Sequence, residues 1–188
     1  MLLSGFPPVA RRDARVLILG SMPSEASLAQ NFYYAHPANA FWWLLAGVLG
    51  CAEPQGVAAK RRLLLGHRIA LWDVVHRCRR RGSLDAAIEG ESVEANDLRG
   101  FLLCHPGITH VFFNGGAAEQ LFRRHLRSAV ARDHPRLCFA RLPSSSPANA
   151  SWSRERKLAA WRDAVGPALV DPAHVGPAHV GPAHVGPA

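Results

Sequence analysis

The sequence predicts an α/β protein, a three-layer α/β/α sandwich on a central, mostly parallel sheet of four strands. Four runs are predicted as strands: residues 15–19, 68–75, 109–113 and 136–142. The first has the continuous hydrophobicity of a strand that is buried on both faces, the second is also predicted to be buried, and the fourth has three apolar positions. Segments with helical patterning and helix-capping residues lie between them. Because strands that alternate with helices pair in parallel, the two observations together indicate this fold class.

The first elements lead into a long loop. Residues 1–13 are expected to form an extended lead-in to the strand at 15–19. After the loop, Asn39 stands where it would be the N-cap of a helix over residues 40–49, and Gly50 would end that helix. A second, amphipathic helix with a basic side follows at residues 54–66 and precedes the second strand.

The second half of the chain repeats the alternation. Asn96 is predicted to cap a helix that runs through residue 104. The strand at 109–113 turns at Asn114 into a helix over residues 117–127. A loop rich in proline and serine follows the fourth strand, and the last helix begins after the N-cap Ser153 and extends over residues 154–165.

Length and composition limit the architecture to one domain. The chain has 188 residues, 48% of them hydrophobic, which suffices for one core, and we assign residues 1–170 to it. Residues 171–188 repeat a His-Val-Gly-Pro unit. Proline and glycine at this density prevent a packed element, so we predict a disordered tail. Weak metal binding by the repeated histidines is an alternative, and a slipped repeat in the coding sequence explains them better.

Net charge, cysteine spacing and the lack of long apolar runs indicate which partners, cofactors and cellular location to expect. The formal net charge of +8 favours a polyanion, and arginine, which supplies nearly all of it, suits phosphate contacts. The four cysteines lack the spacing of zinc ligands, so we expect reduced, buried thiols and no metal or other cofactor. Neither a signal peptide nor an apolar run of about 20 residues is present, which predicts a cytoplasmic monomer without membrane contact.

The loop after the first strand combines flat and polar side chains. Residues 20–43 contain glycine, proline, serine and asparagine together with six aromatic residues. Open α/β sheets bind their ligands at the carboxyl ends of parallel strands. Aromatic faces beside an amide suit a planar, hydrogen-bonding ligand such as a nucleobase.

Two segments stand out in loops that follow predicted strands. The first is Gly-Ser-Met-Pro-Ser at residues 20–24, continued by Tyr-Tyr-Ala-His-Pro-Ala-Asn-Ala-Phe-Trp at 33–42. The second is Leu-Pro-Ser-Ser-Ser-Pro-Ala-Asn-Ala at 142–150. Both resemble active-site motifs of the uracil-DNA glycosylase superfamily, most closely its hypoxanthine-DNA glycosylase branch. Two motifs in the expected order are far more specific than either alone. The resemblance covers residues 10–166 and implies a uracil-DNA glycosylase-like sandwich.

One position departs from part of the superfamily. In the mismatch-specific branch the third residue of the first motif is a catalytic asparagine, and Met22 stands there in this chain. A thioether does not orient a water molecule as an amide does. In the hypoxanthine branch the catalytic amide belongs to the later segment, where this chain has Asn39. The resemblance therefore implies a catalytic Asn39, while its position alone also fits a helix cap.

The resemblance assigns further roles. The residues that it implies around the flipped base are Gly20, Ser21, Met22, Tyr34 and Asn114. Those that it implies as DNA contacts are Ser144, Ser145, Ser146 and Asn149. The ring of Tyr34 would stack on the base and the amide of Asn114 would read its edge, although Asn114 is also an ordinary turn residue.

Several charged residues are weaker candidates. An arginine cluster after the second strand is interpreted as a phosphate contact, with a solvated face as the alternative: Arg77, Arg79, Arg80 and Arg81. His36 and Asp73 are candidates for electrostatic or acid-base assistance.

The predicted function is a monofunctional DNA glycosylase. It would flip a deaminated base out of double-stranded DNA, or take it from a single strand, and hydrolyse the N-glycosidic bond. Hypoxanthine is the favoured base, with uracil or xanthine as further possibilities. Neither motif contains a lysine for a Schiff base. The alternatives are a non-catalytic nucleic-acid-binding protein on the same scaffold and a serine hydrolase, which the lack of a Gly-x-Ser-x-Gly elbow disfavours.

Overall fold

The computed structural model describes residues 2–170, so the repeat tail predicted at residues 171–188 lies outside the described residues. The described chain forms seven strands: β1 (Leu2–Ser4), β2 (Val16–Gly20), β3 (Ile69–Asp73), β4 (Val75–Arg79), β5 (Glu94–Ala95), β6 (His110–Asn114) and β7 (Cys138–Leu142). It also forms seven α-helices: α1 (Glu25–Gln30), α2 (Phe41–Leu49), α3 (Gly56–Gly66), α4 (Leu98–Cys104), α5 (Gly116–His125), α6 (Arg127–Asp133) and α7 (Arg154–Leu169).

Four strands form the central sheet in the order β3-β2-β6-β7, and all neighbouring pairs are parallel. Helices α2 and α7 pack together, as do α5 and α6, and these groups complete the sandwich. The predicted fold class is confirmed. In the strand register Gly20 lies opposite Asp73, and Asn114 lies opposite Leu142. The carboxyl ends of all four strands therefore meet at one edge.

A second, antiparallel sheet was not predicted. The strands β1, β4 and β5 form it, so the lead-in pairs with the segment after β3. The run at 68–75 forms two strands rather than one, because β3 ends at Asp73 and β4 begins at Val75. Between them, the N–H of Val74 donates to the carbonyl of Gly20. Met22, Val75 and Cys78 form a small core under this sheet.

One predicted cap is wrong. Asp97, not Asn96, caps α4, since its Oδ1 accepts a hydrogen bond from the N–H of Gly100 at 2.9 Å. Asn96 is buried, and its Nδ2 donates to the carbonyl of Asp73 at 2.9 Å. Asn96 therefore fixes the end of β3. The unpredicted helix α1 begins inside the first motif, where Ser24 is its N-cap.

The arginine cluster and the cysteines need correction. Arg80 is only 2% exposed and donates through Nη2 to the carbonyl of Pro23, so its predicted contact with phosphate is wrong. The other three arginines of the cluster are exposed: Arg77 and Arg79 lie on the outward side of β4, and Arg81 follows the strand. Of the cysteines only Cys78 is buried, while Cys51, Cys104 and Cys138 are exposed free thiols.

Helix α7 is anchored to the second motif by Trp161. Its ring is fully buried and lies edge-on to Phe41, and its Nε1–H donates to the carbonyl of Pro143 at 2.9 Å. We expect Trp161→Phe to leave this carbonyl unpaired and to lower the free energy of unfolding by about 1–3 kcal/mol, measured by urea denaturation. Trp43→Phe, at a partly exposed ring on α2, is the control. An equal loss in both variants would contradict the anchoring role.

Candidate active site

The ends of β2, β3 and β6 and two loops surround a small cavity at the carboxyl edge of the central sheet. Its volume is about 90 Å³. Nine of the residues predicted from the motifs line it: Gly20, Ser21, Met22, Tyr34, Asn39, Asn114, Ser144, Ser145 and Ser146. The parallel register brings these segments together, because loops that follow neighbouring parallel strands emerge at the same edge.

A wider groove of about 700 Å³ adjoins the cavity. Both are bordered by Asp85, Asn114 and Ser144. The groove runs past the start of α5 and the second motif, and Asn149 and Trp152 line it. Of the predicted site residues, Asn149 alone lies in the groove and not in the cavity.

Asn39 lies at the start of α2 and lines the cavity. Its Oδ1 accepts a hydrogen bond from the N–H of Phe41 at 3.0 Å, so the side chain does cap the start of α2, although Ala40 occupies the N-cap backbone position. Its amide nitrogen makes no hydrogen bond within the described residues, and the residue lines the cavity. The cap therefore fixes the orientation of the amide group.

Tyr34 forms one wall of the cavity. Its ring stacks on Phe41 with 4.0 Å between centroids and 11° between planes. Its backbone is in the left-handed region with φ of 50°, which is uncommon for a residue other than glycine. Its hydroxyl is buried, and burial raises its pKa. One ring face is thus occupied by Phe41.

Asn114 ties the second motif to the sheet. Its Nδ2 donates to Ser145 Oγ at 2.8 Å, and its Oδ1 accepts from the N–H of Ser145 at 2.9 Å. Ser145 is 1% exposed, and both its hydroxyl and its N–H are hydrogen-bonded to Asn114. Ser144 and Ser146 are partly exposed. The amide of Asn114 also interacts with the hydroxyl of Tyr34, so it links the second motif to the aromatic wall of the cavity.

Two further hydrogen bonds, from Lys157 and from Ala40, stabilise the loop of the second motif. Lys157 is 5% exposed, and its Nζ donates to the carbonyl of Asn149 at 2.7 Å. Burial lowers the pKa of this lysine. Lys157 contacts the loop but does not line the cavity. The N–H of Ala40 donates to the carbonyl of Ser145 at 3.0 Å and so joins the two motifs directly.

Two carboxyl groups enter the cavity, and the sequence pointed to only one of them. Asp73 is buried at the end of β3. Asp85 lies on the 3-10 turn Asp85–Ala87, and its Oδ1 accepts a hydrogen bond from Ser21 Oγ at 2.6 Å. This contact spans 64 residues of sequence, and no local pattern around Asp85 could have revealed it.

Gly20 has no room for a side chain. A Cβ atom at this position would overlap Asp73 Oδ1 and lie 2.8 Å from the hydroxyl of Tyr34. Glycine is therefore required for β2, Asp73 and Tyr34 to meet at the base of the cavity.

The described residues contain no cluster of three His, Cys, Asp or Glu side chains that could hold a metal ion. In the same part of the chain, no helix combines the length and apolar character needed to cross a membrane.

Comparison with known proteins gives consistent matches. The family model for the uracil DNA glycosylase superfamily matches residues 7–165. A Methanosarcina acetivorans protein named hypoxanthine DNA glycosylase is 36% identical over 159 residues, which cover 84% of this chain and 94% of that protein. A Methanosarcina barkeri protein of the same name is 38% identical over 128 residues, covering 65% and 79% respectively.

A solved structure has a similar fold. It is the solution NMR structure of a Methanosarcina acetivorans protein, described there only provisionally as a uracil DNA glycosylase. The TM-score is 0.71 at 34% sequence identity, and the match covers 89% of this chain and 99% of that one.

Proposed function

The chain belongs to the uracil-DNA glycosylase superfamily, as its motifs predict, and we propose that it is a monofunctional glycosylase that removes hypoxanthine from deoxyinosine in DNA. One observation supports the proposal most directly. Asn39, at the position that carries the catalytic amide in the hypoxanthine branch, lines the cavity, and the third residue of the first motif is the buried Met22. The two Methanosarcina relatives named for hypoxanthine support the choice of base.

The proposed reaction is hydrolysis of the N-glycosidic bond. As the bond between C1′ and N9 breaks, its electron pair passes to the base. Water adds to C1′ and loses a proton to solvent, from which the released base anion takes one up. Asn39 orients this water, because the residue lines the cavity and its amide is held in place by the N–H of Phe41. An amide has little basicity, so it contributes position rather than proton abstraction.

The base would occupy the cavity between Tyr34 and the end of β3. In this proposal the Tyr34 ring stacks on one face of the base and the amide of Asn114 lies at its edge, since both residues line the cavity. At about 90 Å³ the cavity is smaller than a typical ligand site, which has about 300–1,000 Å³. Entry of a purine therefore requires a wall to move, and the exposed turn at Asp85 is the wall that we expect to move.

The groove would hold the DNA strand beside the flipped nucleotide. Ser144, Ser146 and Asn149 offer hydroxyl and amide groups for phosphate oxygens. The net charge of +8 favours the polyanion. We infer that the protein acts as a monomer on double-stranded DNA in the cytoplasm.

The reaction would stop at an abasic site. Lys157 donates to the carbonyl of Asn149 and does not line the cavity, so it is not placed to attack C1′. Without an amine nucleophile no Schiff base forms and the strand stays intact. Xanthine and uracil remain secondary substrates in this proposal, and the methionine at position 22 argues against strong uracil activity.

The test is base release from labelled duplexes that carry deoxyinosine, deoxyuridine or deoxyxanthosine, with an unmodified duplex as control. We expect strand breaks at deoxyinosine only after alkali treatment. Breaks without alkali would contradict the monofunctional reaction. If the protein binds these duplexes but releases no base from any of them, the protein is a non-catalytic binding module on the same scaffold.

A further inference from the structure

The carboxyl group of Asp73 lies at the base of the cavity without a partner. Asp73 ends β3 directly opposite Gly20, is 4% exposed and lines the cavity. Its Oδ2 is buried and makes no hydrogen bond within the described residues. Buried polar atoms are nearly always paired in folded proteins. An unpaired oxygen at the wall of a ligand cavity therefore indicates that a ligand completes its hydrogen bonding.

A second buried polar group lies beside it. The hydroxyl of Tyr34 and Asp73 Oδ1 both approach the position that a Cβ of Gly20 would take, and the amide of Asn114 interacts with this hydroxyl. Among the described residues, Asp73 Oδ2 therefore remains an unsatisfied group at the base of the cavity. An unpaired polar group costs stability, and a ligand that pairs with it recovers that cost.

The charged and titratable groups that face Asp73 come from three directions. Asp85 approaches from the 3-10 turn, Arg80 from the segment after β4, and Tyr33 and Tyr34 from the first loop. Burial raises the pKa of Asp73, and the negative charge of Asp85 raises it further. The positive charge of Arg80 lowers it, and the net result is a pKa of about 8. At neutral pH this residue is mainly a neutral carboxylic acid, which can both donate and accept a hydrogen bond.

We propose that Asp73 holds the extruded base as a carboxylic acid, donating its O–H to the exocyclic oxygen and accepting a hydrogen bond from the adjacent ring N–H. This inference rests on the proposed function. The matching substrates carry a lactam edge, an oxygen next to a ring N–H, as hypoxanthine does. Deamination creates this edge from the amino group of adenine.

The hydrogen bond acts on the leaving group. When the bond between C1′ and N9 breaks, the electron pair left on the base spreads to the exocyclic oxygen. A fixed donor in a water-poor site stabilises that charge most in the transition state. Asp73 keeps its proton throughout, so no proton transfer to the base is required. In adenine the exocyclic atom is an amino nitrogen, which is a poorer site for this charge.

The test is the pH dependence of single-turnover base release from a deoxyinosine duplex. We expect the wild-type rate to fall about tenfold per pH unit above about pH 8, since the raised pKa means that the active, protonated form is lost as pH rises through that value. Asp73→Ala is expected to lose about 100-fold in rate at neutral pH. Asp73→Asn keeps a donor and an acceptor, so it recovers most of that loss and shows no alkaline decrease.

Urea denaturation gives a readout that does not depend on catalysis. Because the folded pKa of Asp73 is raised above the ordinary value of 3.8, the folded state holds a proton that the unfolded state releases. The wild type should therefore lose stability relative to Asp73→Asn as pH rises from about 4 to about 8. Above that range the difference should stay constant.

The outcomes separate the two claims. No base release by the wild type from any duplex overturns both the proposed function and this inference. Base release by the wild type with an unchanged alkaline decrease in Asp73→Asn overturns only the inference, because the decrease would then come from the substrate or another group. A rate in Asp73→Ala equal to that of the wild type also overturns only the inference.

Discussion

Asn39→Ala is expected to lower the single-turnover rate of hypoxanthine release about 100- to 1,000-fold, the usual range when one fixed catalytic hydrogen-bonding group is removed. Asn39 lines the cavity, and the orientation of its amide is set by the hydrogen bond from the N–H of Phe41. Without it the attacking water is no longer held over C1′. The measurement is alkali-dependent strand cleavage under excess enzyme.

The effect of Asn39→Ala on the stability of α2 must be distinguished from its effect on catalysis. Asn39→Ala also removes the cap of α2, which costs about 1 kcal/mol. A domain with about 5–15 kcal/mol of stability remains folded after such a loss, so unfolding does not explain a 100-fold effect. Asn39→Asp retains a capping oxygen and replaces the amide nitrogen with a charged carboxylate oxygen, so it tests whether an N–H donor is needed when the cap is kept. An Asn39→Ala variant with the wild-type rate would assign Asn39 to the fold only.

Gly20→Ala is expected to abolish most activity by filling the base of the cavity. The added Cβ would overlap Asp73 Oδ1 and lie 2.8 Å from the hydroxyl of Tyr34. Neither neighbour yields easily, because Asp73 is buried at the end of a sheet strand and the Tyr34 ring is stacked on Phe41. We expect about a 100-fold lower rate from displacement of the site and about 1–3 kcal/mol lower stability from overpacking.

The matched control for this glycine is Gly66→Ala. Gly66 ends α3, and a Cβ there would have no atom within 4 Å. We expect the wild-type rate from it, with stability measured by urea denaturation in the same series. If Gly20→Ala releases hypoxanthine at the wild-type rate, the base does not bind in this cavity.

The sequence was sufficient for the central sheet because buried parallel strands have a local signature. The runs that became β2, β3 and β6 are mostly apolar and buried, whereas β7 at the sheet edge is largely exposed and carries Arg141. The elements between the four strands alternate as parallel sheets require. The site loops followed from their place after those strands and from their resemblance to known motifs. Asn39 and Tyr34 line the cavity for this reason, although their catalytic roles remain predictions.

The contacts that shape the site depend on the tertiary structure alone. Ser21 meets Asp85 across 64 residues of sequence, and Asn114 meets Ser145 across 31. Asn96 was predicted to cap a helix and instead fixes the carbonyl of Asp73, and Arg80 is buried against Pro23. Periodicity and capping patterns report only on neighbours within a few residues. The pairing of distant polar groups depends on which strands lie side by side, so the three-dimensional packing decides the charge and hydrogen bonding of the cavity.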